Sequence, residues 1–395
     1  MEDDILGVVQ PMTQWANRPP SEAMKETNEQ LEGRINAVRA QIGLIKEDGL
    51  DHAFSAFAHV VNPMELVPDV AQPVLPEGQR VISRAYYKML EIADTFELAH
   101  SKENPVAALL CEAPGGFAQY LSHCKPAWKM ACISLLPDSL TKHHAPVITM
   151  HESQKEILFR GGDGTGNLLK MDNITGFCDF VDQVSGGTMA DLCTADGGME
   201  VDDRNAQEAA SMNLVVAQVL SAMSVLKQGG SFVLKLFDTF TETTEVLLYL
   251  LTMLFEDTSL YKPYTSRVCN SEKYFVGKGY IGLGSDALLA GKHSISDVIE
   301  ILETFVRGNP TVLDDFVTVP FTFKLNLRHY NTRFVNMQIG YLTTALQLSR
   351  HLKEKNKTSK QDLDHLIKVF KTDKMARDKA SAFCLSVGIP VKENA

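Results

Sequence analysis

No two cysteines in this chain are spaced as CxxC, no apolar run is long enough to cross a bilayer, and positive charge is in deficit. Each absence excludes something. The seven cysteines, Cys111, Cys124, Cys132, Cys178, Cys193, Cys269 and Cys384, are odd in number and scattered. They argue against a disulfide framework and against zinc knuckles, so reduced thiols and no bound metal are expected. The longest apolar run, VLLYLLTMLF from Val246 to Phe255, is too short for a membrane span and reads as a buried helix, so no membrane partner is expected. The N-terminal MEDDILG lacks the basic and apolar regions of a signal peptide, which points to nucleus or cytoplasm and not to secretion. Lys and Arg total 38 against 49 Asp and Glu, a net charge of −11. That balance excludes wholesale coating of nucleic acid and leaves room only for a local basic groove. Repeats and low-complexity segments are absent as well.

What is present is enough apolar material, 45% of 395 residues, to bury a full core in two or three structural units. Residues 1–80 read as a mostly helical N-terminal extension. Leu31, Ile35, Val38 and Ile42 fall on one side of a helix over Glu22–Leu44. The region holds 13 acidic against 6 basic residues, so it is no nucleic-acid arm. Over 81–282 strands alternate with helices. Strands are expected at Val106–Cys111, Lys129–Leu135, Met189–Ala195, Ser231–Phe237 (after the Gln228-Gly229-Gly230 turn) and Lys273–Ile281. Helices are expected at Ala206–Leu226 and Glu242–Phe255. That alternation implies an α/β fold with a mostly parallel sheet covered on both faces. Residues 283–395 lose the rhythm and read as a helical C-terminal region, with helices at Ile295–Phe305, Asn336–Leu352 and Ala380–Val387. The lysine-rich stretch His351–Lys379 reads most simply as a solvated helix face.

The informative residues are polar groups on apolar strands, because burial without a partner is costly. Lys235 interrupts SFVLKLF. Asp196 ends its strand, followed by two glycines that clear the space before it. Glu272 opens the fifth strand, and Lys88 lies on SRAYYKMLEI ahead of the first. The turn in CEAPGGFAQYL suits close approach of a ligand to the backbone at the carboxyl edge of an open α/β sheet. In a parallel sheet Asp196 and Lys235 project at that same edge. Two lysines and two carboxylates converging there suit removal of a proton from a weakly acidic hydroxyl.

SRAYYKMLEI, CEAPGGFAQYL, TADGG, VLKLFD and TSRVCNSEKYFVGKG occur in this order over roughly Val81–Ile281. In that order they resemble the FtsJ-like ribose 2′-O-methyltransferases, most of all the cap-specific mRNA (nucleoside-2′-O-)-methyltransferases of eukaryotes and large DNA viruses. The resemblance implies a Rossmann-like S-adenosylmethionine-dependent methyltransferase fold, with a seven-stranded, mostly parallel sheet whose last strand is antiparallel. It implies S-adenosylmethionine as cofactor and a catalytic tetrad of Lys88, Asp196, Lys235 and Glu272, with Lys235 as the base. It implies cofactor binding by Cys111, Ala113, Pro114, Gly115, Gly116 and Phe117, by Asp196, and by Asp163 and Asn167 of GGDGTGNLL. Arg84, Arg267 and Ser271 would line the RNA groove, and Asn205 would meet the cap nucleotide. Capped mRNA would be the substrate, with other capping enzymes or RNA polymerase as further partners. One departure stands out. Many such enzymes hold the cofactor ribose with an acidic residue after the second strand, whereas ACISLLPD has Leu135 and Leu136 there. No role attaches to Glu112.

Each residue alone has a plainer reading. Lys235 could snorkel from a strand end, Asp196 could cap a helix, and Lys88 and Glu272 could be a surface pair. Jointly and in order, the motifs favour the tetrad. Two other functions fit the same core: ribose methylation of ribosomal or transfer RNA, and a catalytically inactive RNA-binding or scaffold homologue. The extensions favour the cap branch, and four ionisable groups beside an apolar pocket speak against an inactive copy.

Overall fold

The computed structural model describes residues 7–20, 26–73, 75, 80–98, 104–124, 128–136, 157–199, 201, 203–283, 293–313 and 315–392. Most of MEDDILG, the first turn expected from Glu22 and the Asp138 of ACISLLPD lie outside them.

The strands are β1 (Gln10–Pro11), β2 (Val106–Leu110), β3 (Lys129–Ile133), β4 (Leu158–Phe159), β5 (Ala190–Ala195), β6 (Leu226–Leu236), β7 (Phe255–Tyr261) and β8 (Lys273–Tyr280). They form one sheet in the order β1-β7-β8-β6-β5-β2-β3-β4. Strands β2 to β6 pair in parallel, and β8 lies antiparallel between β6 and β7. The expected seven strands with an antiparallel last one are therefore β2–β8. The eighth, β1, is a two-residue strand added to the edge of β7.

Side chains alternate across the sheet, as strand geometry requires. Ala107, Leu109, Leu192 and Val233 face one core with α4 (Ala85–Thr95) and α5 (Gly116–Cys124). Ala108, Leu110, Cys193 and Leu234 face the other, with α6 (Met171–Ser185), α7 (Gln207–Val225) and α8 (Glu242–Leu254). By length and composition α7 is apolar enough to cross a membrane, yet 72% of that stretch is buried within the fold. All residues of β2 and β5 are buried, which is why β2 reads as a continuous apolar run and β5 as one broken only by Asp191 and Thr194.

Helices from the two ends of the chain pack on each other. From the N-terminal side come α1 (Asn28–Glu47), α2 (Asp51–Val60) and the single turn α3 (Val67–Val70). From the C-terminal side come α9 (Ile295–Val306), the 34-residue α10 (Phe321–Glu354), α11 (Lys360–Thr372) and α12 (Lys374–Ser386). Leu31 and Ile35 of α1 meet Val335 and Leu342 of α10. Ile45, Leu50 and Ala53 meet Leu346 of α10 and Leu363 of α11. Arg39 of α1 forks onto Asp238, just past β6, at 2.7 and 3.2 Å with both side chains buried. The C-terminal stretch also pairs with the segment after α3, where Gln72 N donates to Pro390 O at 2.7 Å.

Several boundaries differ from expectation. Helix α10 begins fifteen residues before the expected Asn336, because Leu327, Tyr330 and Phe334 bury a stripe among charged residues. Strand β7 starts at Phe255 with no turn residue after α8, so its first residue falls in the apolar run read as one helix and no break marks its start. The Gln228-Gly229-Gly230 stretch is not a turn ahead of the strand. It lies inside β6 as an irregularity, with Gly229 at φ +76°. The lysine-rich stretch contains α11, started by a Ser359–Asp362 capping box.

Leu31 is fully buried at the α1–α10 seam. Leu31→Ala is expected to cost about 2–5 kcal/mol in equilibrium denaturant unfolding. A loss below about 1 kcal/mol would mean that the seam does not hold the two ends together.

Candidate active site

Strand direction assembles the site. Parallel strands β2, β5 and β6 end at one edge of the sheet, and antiparallel β8 begins there. Cys111 follows β2, Asp196 follows β5, Lys235 is the penultimate residue of β6, and Glu272 immediately precedes β8. Lys88 arrives from α4, the helix over that edge.

The four side chains form two ion pairs. Lys235 Nζ lies 3.5 Å from Asp196 Oδ1 and donates to the Asp196 carbonyl at 2.5 Å. Lys88 Nζ donates to both oxygens of Glu272 at 3.1 and 3.0 Å. All four side chains are at least four-fifths buried. Burial opposes charge on Lys88, but Asp196 and Glu272 outweigh it and raise its pKa. Burial likewise opposes ionisation of Glu272, and Lys88, Lys235 and Lys262 overcome it, so its carboxyl stays well below the usual range. Lys88 is thus held as an ammonium and Glu272 as a carboxylate, each by charges in the same cluster.

Tyr274 completes the group. It sits opposite Lys235 in the β6–β8 register and donates from its hydroxyl to Asp196 Oδ1 at 2.8 Å. Its ring stands 5.7 Å from Lys88 Nζ and 6.5 Å from Phe117.

Beside this cluster lies the Ala113–Gly116 turn. Cys111 leaves β2 at φ +56°, and Gly115 takes φ +109°, a region L side chains rarely enter. A Cβ on Gly116 would fall 2.5 Å from Ser83 Oγ and 2.9 Å from Tyr86 N, so the turn presses on the start of α4. Ala113 N donates to Ser134 Oγ at 3.1 Å, which ties the turn to the end of β3. Glu112, without a role at the sequence level, is buried and accepts from Ala118 N at 2.8 Å. It caps α5 from within the turn. Burial, opposed by the Ala118 N–H and reinforced by Asp196, pushes its carboxyl up to about 8.

With the fold and this geometry in place, the similarity to known proteins is specific. A family model for FtsJ-like methyltransferases matches residues 81–280, half of the chain. The chain belongs to the FtsJ-like methyltransferase family. It is 36% identical over 211 residues to cap-specific mRNA (nucleoside-2′-O-)-methyltransferase 1 of Danio rerio, covering 49% of this chain and 25% of that protein. It is 44% identical over 124 residues to the Trypanosoma brucei brucei protein of the same name, covering 31% and 32%. Cap-specific mRNA (nucleoside-2′-O-)-methyltransferase 2 of Mus musculus is 31% identical over 268 residues, covering 64% and 34%. The chain thus spans a quarter to a third of the length of these three relatives.

Within this FtsJ-like domain the remaining sequence candidates fall in three places. The loop after β4 reaches the glycine turn through the end of β3: Leu136 N donates to Thr165 O at 2.6 Å, and Gly166 is packed on the Ser134 carbonyl. Asp163 in that loop is exposed and folds back onto its own neighbours. Its oxygens accept from Lys170 at 2.5 Å, Thr165 Oγ1 at 2.7 Å and Asn173 Nδ2 at 3.1 Å. Lys170 first, then Thr165, hold its carboxyl below the usual range. Asn167 Oδ1 accepts from Leu169 N. Both side chains therefore shape the loop. Leu135, where an acidic residue is common, is 57% exposed at the end of β3.

Arg84 and Arg267 converge on Glu65. Arg84 donates to its carboxylate and, at 2.7 Å, to Thr265 O. Arg267 Nε lies 3.9 Å from the same oxygen, and its Nη2 meets His59 Nε2 at 3.0 Å. Both line a cleft of about 690 Å³ walled by α2 and α11, with Ile367 and Phe370 on its far side. Neither the glycine turn nor Lys88 and Glu272 lines the cleft; Arg84 and Arg267 precede those two residues by four and five positions. Ser271 is buried, and the hydroxyl that meets Glu272 is that of Ser266, at 2.7 Å. Asn205 lies in the short turn before α7, with its Oδ1 buried and unpartnered among the described residues.

The pH dependence of Glu112 provides a check. Its folded pKa is raised above the ordinary 4.5. The folded state then keeps a proton that the unfolded chain has released, so this group removes stability as pH rises from about 4.5 towards about 8. Glu112→Gln keeps an acceptor for Ala118 N and is expected to flatten that fall. Unfolding free energies measured from pH 5 to pH 8 that run parallel in the two proteins would contradict it.

Proposed function

We propose that this domain transfers the methyl group of S-adenosylmethionine to the ribose 2′-hydroxyl of the cap-proximal nucleotide of capped mRNA, forming cap-1. The observation that carries this reading is the Lys235–Asp196 pair interleaved with the Lys88–Glu272 pair beside the glycine turn. The names of the relatives support capped mRNA as the substrate class.

The residues of the cradle fit the cofactor. Ser83 Oγ, against Gly116, is buried without a protein partner among the described residues, leaving a hydrogen-bonding group for a ligand. Gly115 and Gly116 keep the turn free of side chains, and exposed Leu135 offers an apolar wall where an adenosine could rest. Cys111, Ala113, Pro114, Gly115, Gly116 and Phe117 would hold the cofactor, with Asp163 and Asn167 fixing the loop beside it. Bound there, S-adenosylmethionine supplies a methyl group on a positively charged sulfur.

The chain's own residues do the rest. Lys235 Nζ would take the proton of the 2′-hydroxyl as that oxygen attacks. Asp196, held by Tyr274 and Lys235, would keep that nitrogen in place and put a carboxylate beside the glycine turn. Lys88, fixed as an ammonium by Glu272, stabilises the oxygen as it gains negative charge. Positioning supplies much of the rate in such a transfer. Arg84 and Arg267 line the path of the RNA chain along the 690 Å³ cleft, and Asn205 Oδ1 is an acceptor for the cap nucleotide. This substrate puts the reaction in nucleus or cytoplasm, where other capping enzymes or RNA polymerase are candidate partners.

The test is a methyl-transfer assay with labelled S-adenosylmethionine on cap-0, cap-1 and uncapped RNAs, followed by nuclease mapping. Label is expected on the 2′-oxygen of the first nucleotide of cap-0 RNA. Equal transfer to uncapped RNA would favour ribosomal or transfer RNA as substrate, and no transfer to any RNA would favour a non-catalytic role. Lys235→Ala is expected to lower transfer by about 10²–10⁴-fold while cofactor affinity stays within about threefold. Full activity in that variant would remove the lysine-base mechanism.

A further inference from the structure

The connection between β7 and β8 has no regular structure, yet it carries Arg267 and Ser271 and delivers Glu272. An irregular segment needs partners for its backbone groups. Here two buried charges of opposite sign supply many of them.

Glu91 of α4 is 1% exposed. Its carboxylate accepts from Tyr264 N at 2.7 Å, Thr265 N at 3.0 Å, Thr265 Oγ1 at 2.7 Å and Tyr261 Oη at 2.8 Å. Four donors on one carboxylate fix the first half of the loop. Lys262, the residue after β7, is fully buried. Its ammonium contacts Ser266 Oγ at 2.9 Å, Arg267 O at 2.9 Å, Asn270 O at 3.1 Å, Asn270 Oδ1 at 2.6 Å and Glu272 O at 2.6 Å. Three N–H donors shared among five oxygens gather the second half of the loop around one point. The ring of Phe334 on α10 closes the space at 5.8 Å. No carboxylate oxygen is among these five partners, so Lys262 is not part of an ordinary salt bridge.

We infer that Lys262, with Glu91 on the opposite side of the loop, is a positioning residue for the reaction proposed above: its ammonium sets where Glu272 and Arg267 project. Two links carry the effect. Lys262 holds the carbonyl of Glu272, whose carboxylate holds Lys88. It also holds Ser266 Oγ, which donates to Glu272 Oε1 at 2.7 Å. Burial drives the Lys262 ammonium down to about 7, with Lys273 and Lys88 adding repulsion against the pull of Glu272 and Cys269. The five oxygens around it offset part of that burial cost.

The inference rests on that reading of the site, so its test has one arm that does not use activity. In Lys262→Met, hydrogen exchange of peptides containing Ser266 and Asn270 is expected to rise at least tenfold, with β6 and α5 unchanged. In Glu91→Gln the increase is expected at Tyr264 and Thr265 instead. In the activity arm, Lys262→Met is expected to lower kcat and raise KM for RNA by tenfold or more, with cofactor affinity within twofold of wild type. Lys262→Arg is expected to recover part of both. Unchanged exchange in the loop, or unchanged kcat and RNA KM, would overturn the proposal. A uniform rise in exchange across the sheet would also overturn it, because Lys262 would then be a general stabiliser. An inactive wild type would sink the methyl-transfer reading alone, and the exchange arm would still decide whether Lys262 organises the loop.

Discussion

One reversed strand makes this site possible. Residues at the ends of parallel strands share an edge, and a strand running the other way starts at that edge. Because β8 enters between β6 and β7 in the opposite sense, Glu272 reaches the rim where β5 leaves Asp196 and β6 leaves Lys235. The same antiparallel register sets Tyr274 opposite Lys235, which is how its hydroxyl comes to Asp196. With a parallel β8, Glu272 would stand at the far edge of the sheet, and Lys88 would lose the carboxylate that accepts from it.

Gathering four ionisable groups out of water would be ruinous if each had to be solvated by protein alone. The alternation of sign resolves this. Lys88 has carboxylates in reach and Glu272 has lysines, so the field around that pair favours the charged forms that burial disfavours. Glu112 shows the contrast. It is as buried as Glu272 and near Asp196, but its partner is a neutral amide, and its carboxyl rises to about 8. Two glutamates near one edge therefore reach opposite protonation states because one has lysines beside it and the other does not. A neutral Glu112 also spares Asp196 a second negative charge next to the glycine turn.

The sequence made part of this legible, and the physical reasons divide cleanly. Lys235 was visible because an ammonium inside SFVLKLF has no business in a core, and Asp196 because two glycines follow it. Helix and strand starts were visible where a turn residue or cap marked them. Strand β7 was not, because Leu254 ends α8 and Phe255 begins the strand with no polar residue between them. Asp163 was legible as a loop residue, but its use as an internal brace depends on Lys170 and Asn173 folding back, which spacing does not disclose. Lys262 was invisible for a different reason. Beside a proline in a loop it resembles any surface lysine, and only the closure of α10 over it takes it out of water.

That closure gives the extensions a structural place in the site. Phe334 lies under Lys262 and Lys273, and the helix that carries it is held in turn by Leu31 and Ile35 near the other end of the chain. Arg39 of that N-terminal helix grips Asp238 three residues beyond Lys235. On the opposite side, α2 and α11 form the walls of the cleft that Arg84 and Arg267 enter. A core reduced to 81–280 would keep β2–β8 and the glycine turn, but it would lose the floor beneath the β7–β8 loop and both walls of the cleft. In this fold the side with the glycine turn is built by the sheet. The face towards Arg84 and Arg267 is built by segments about three hundred residues apart in sequence, and no local pattern announces that pairing.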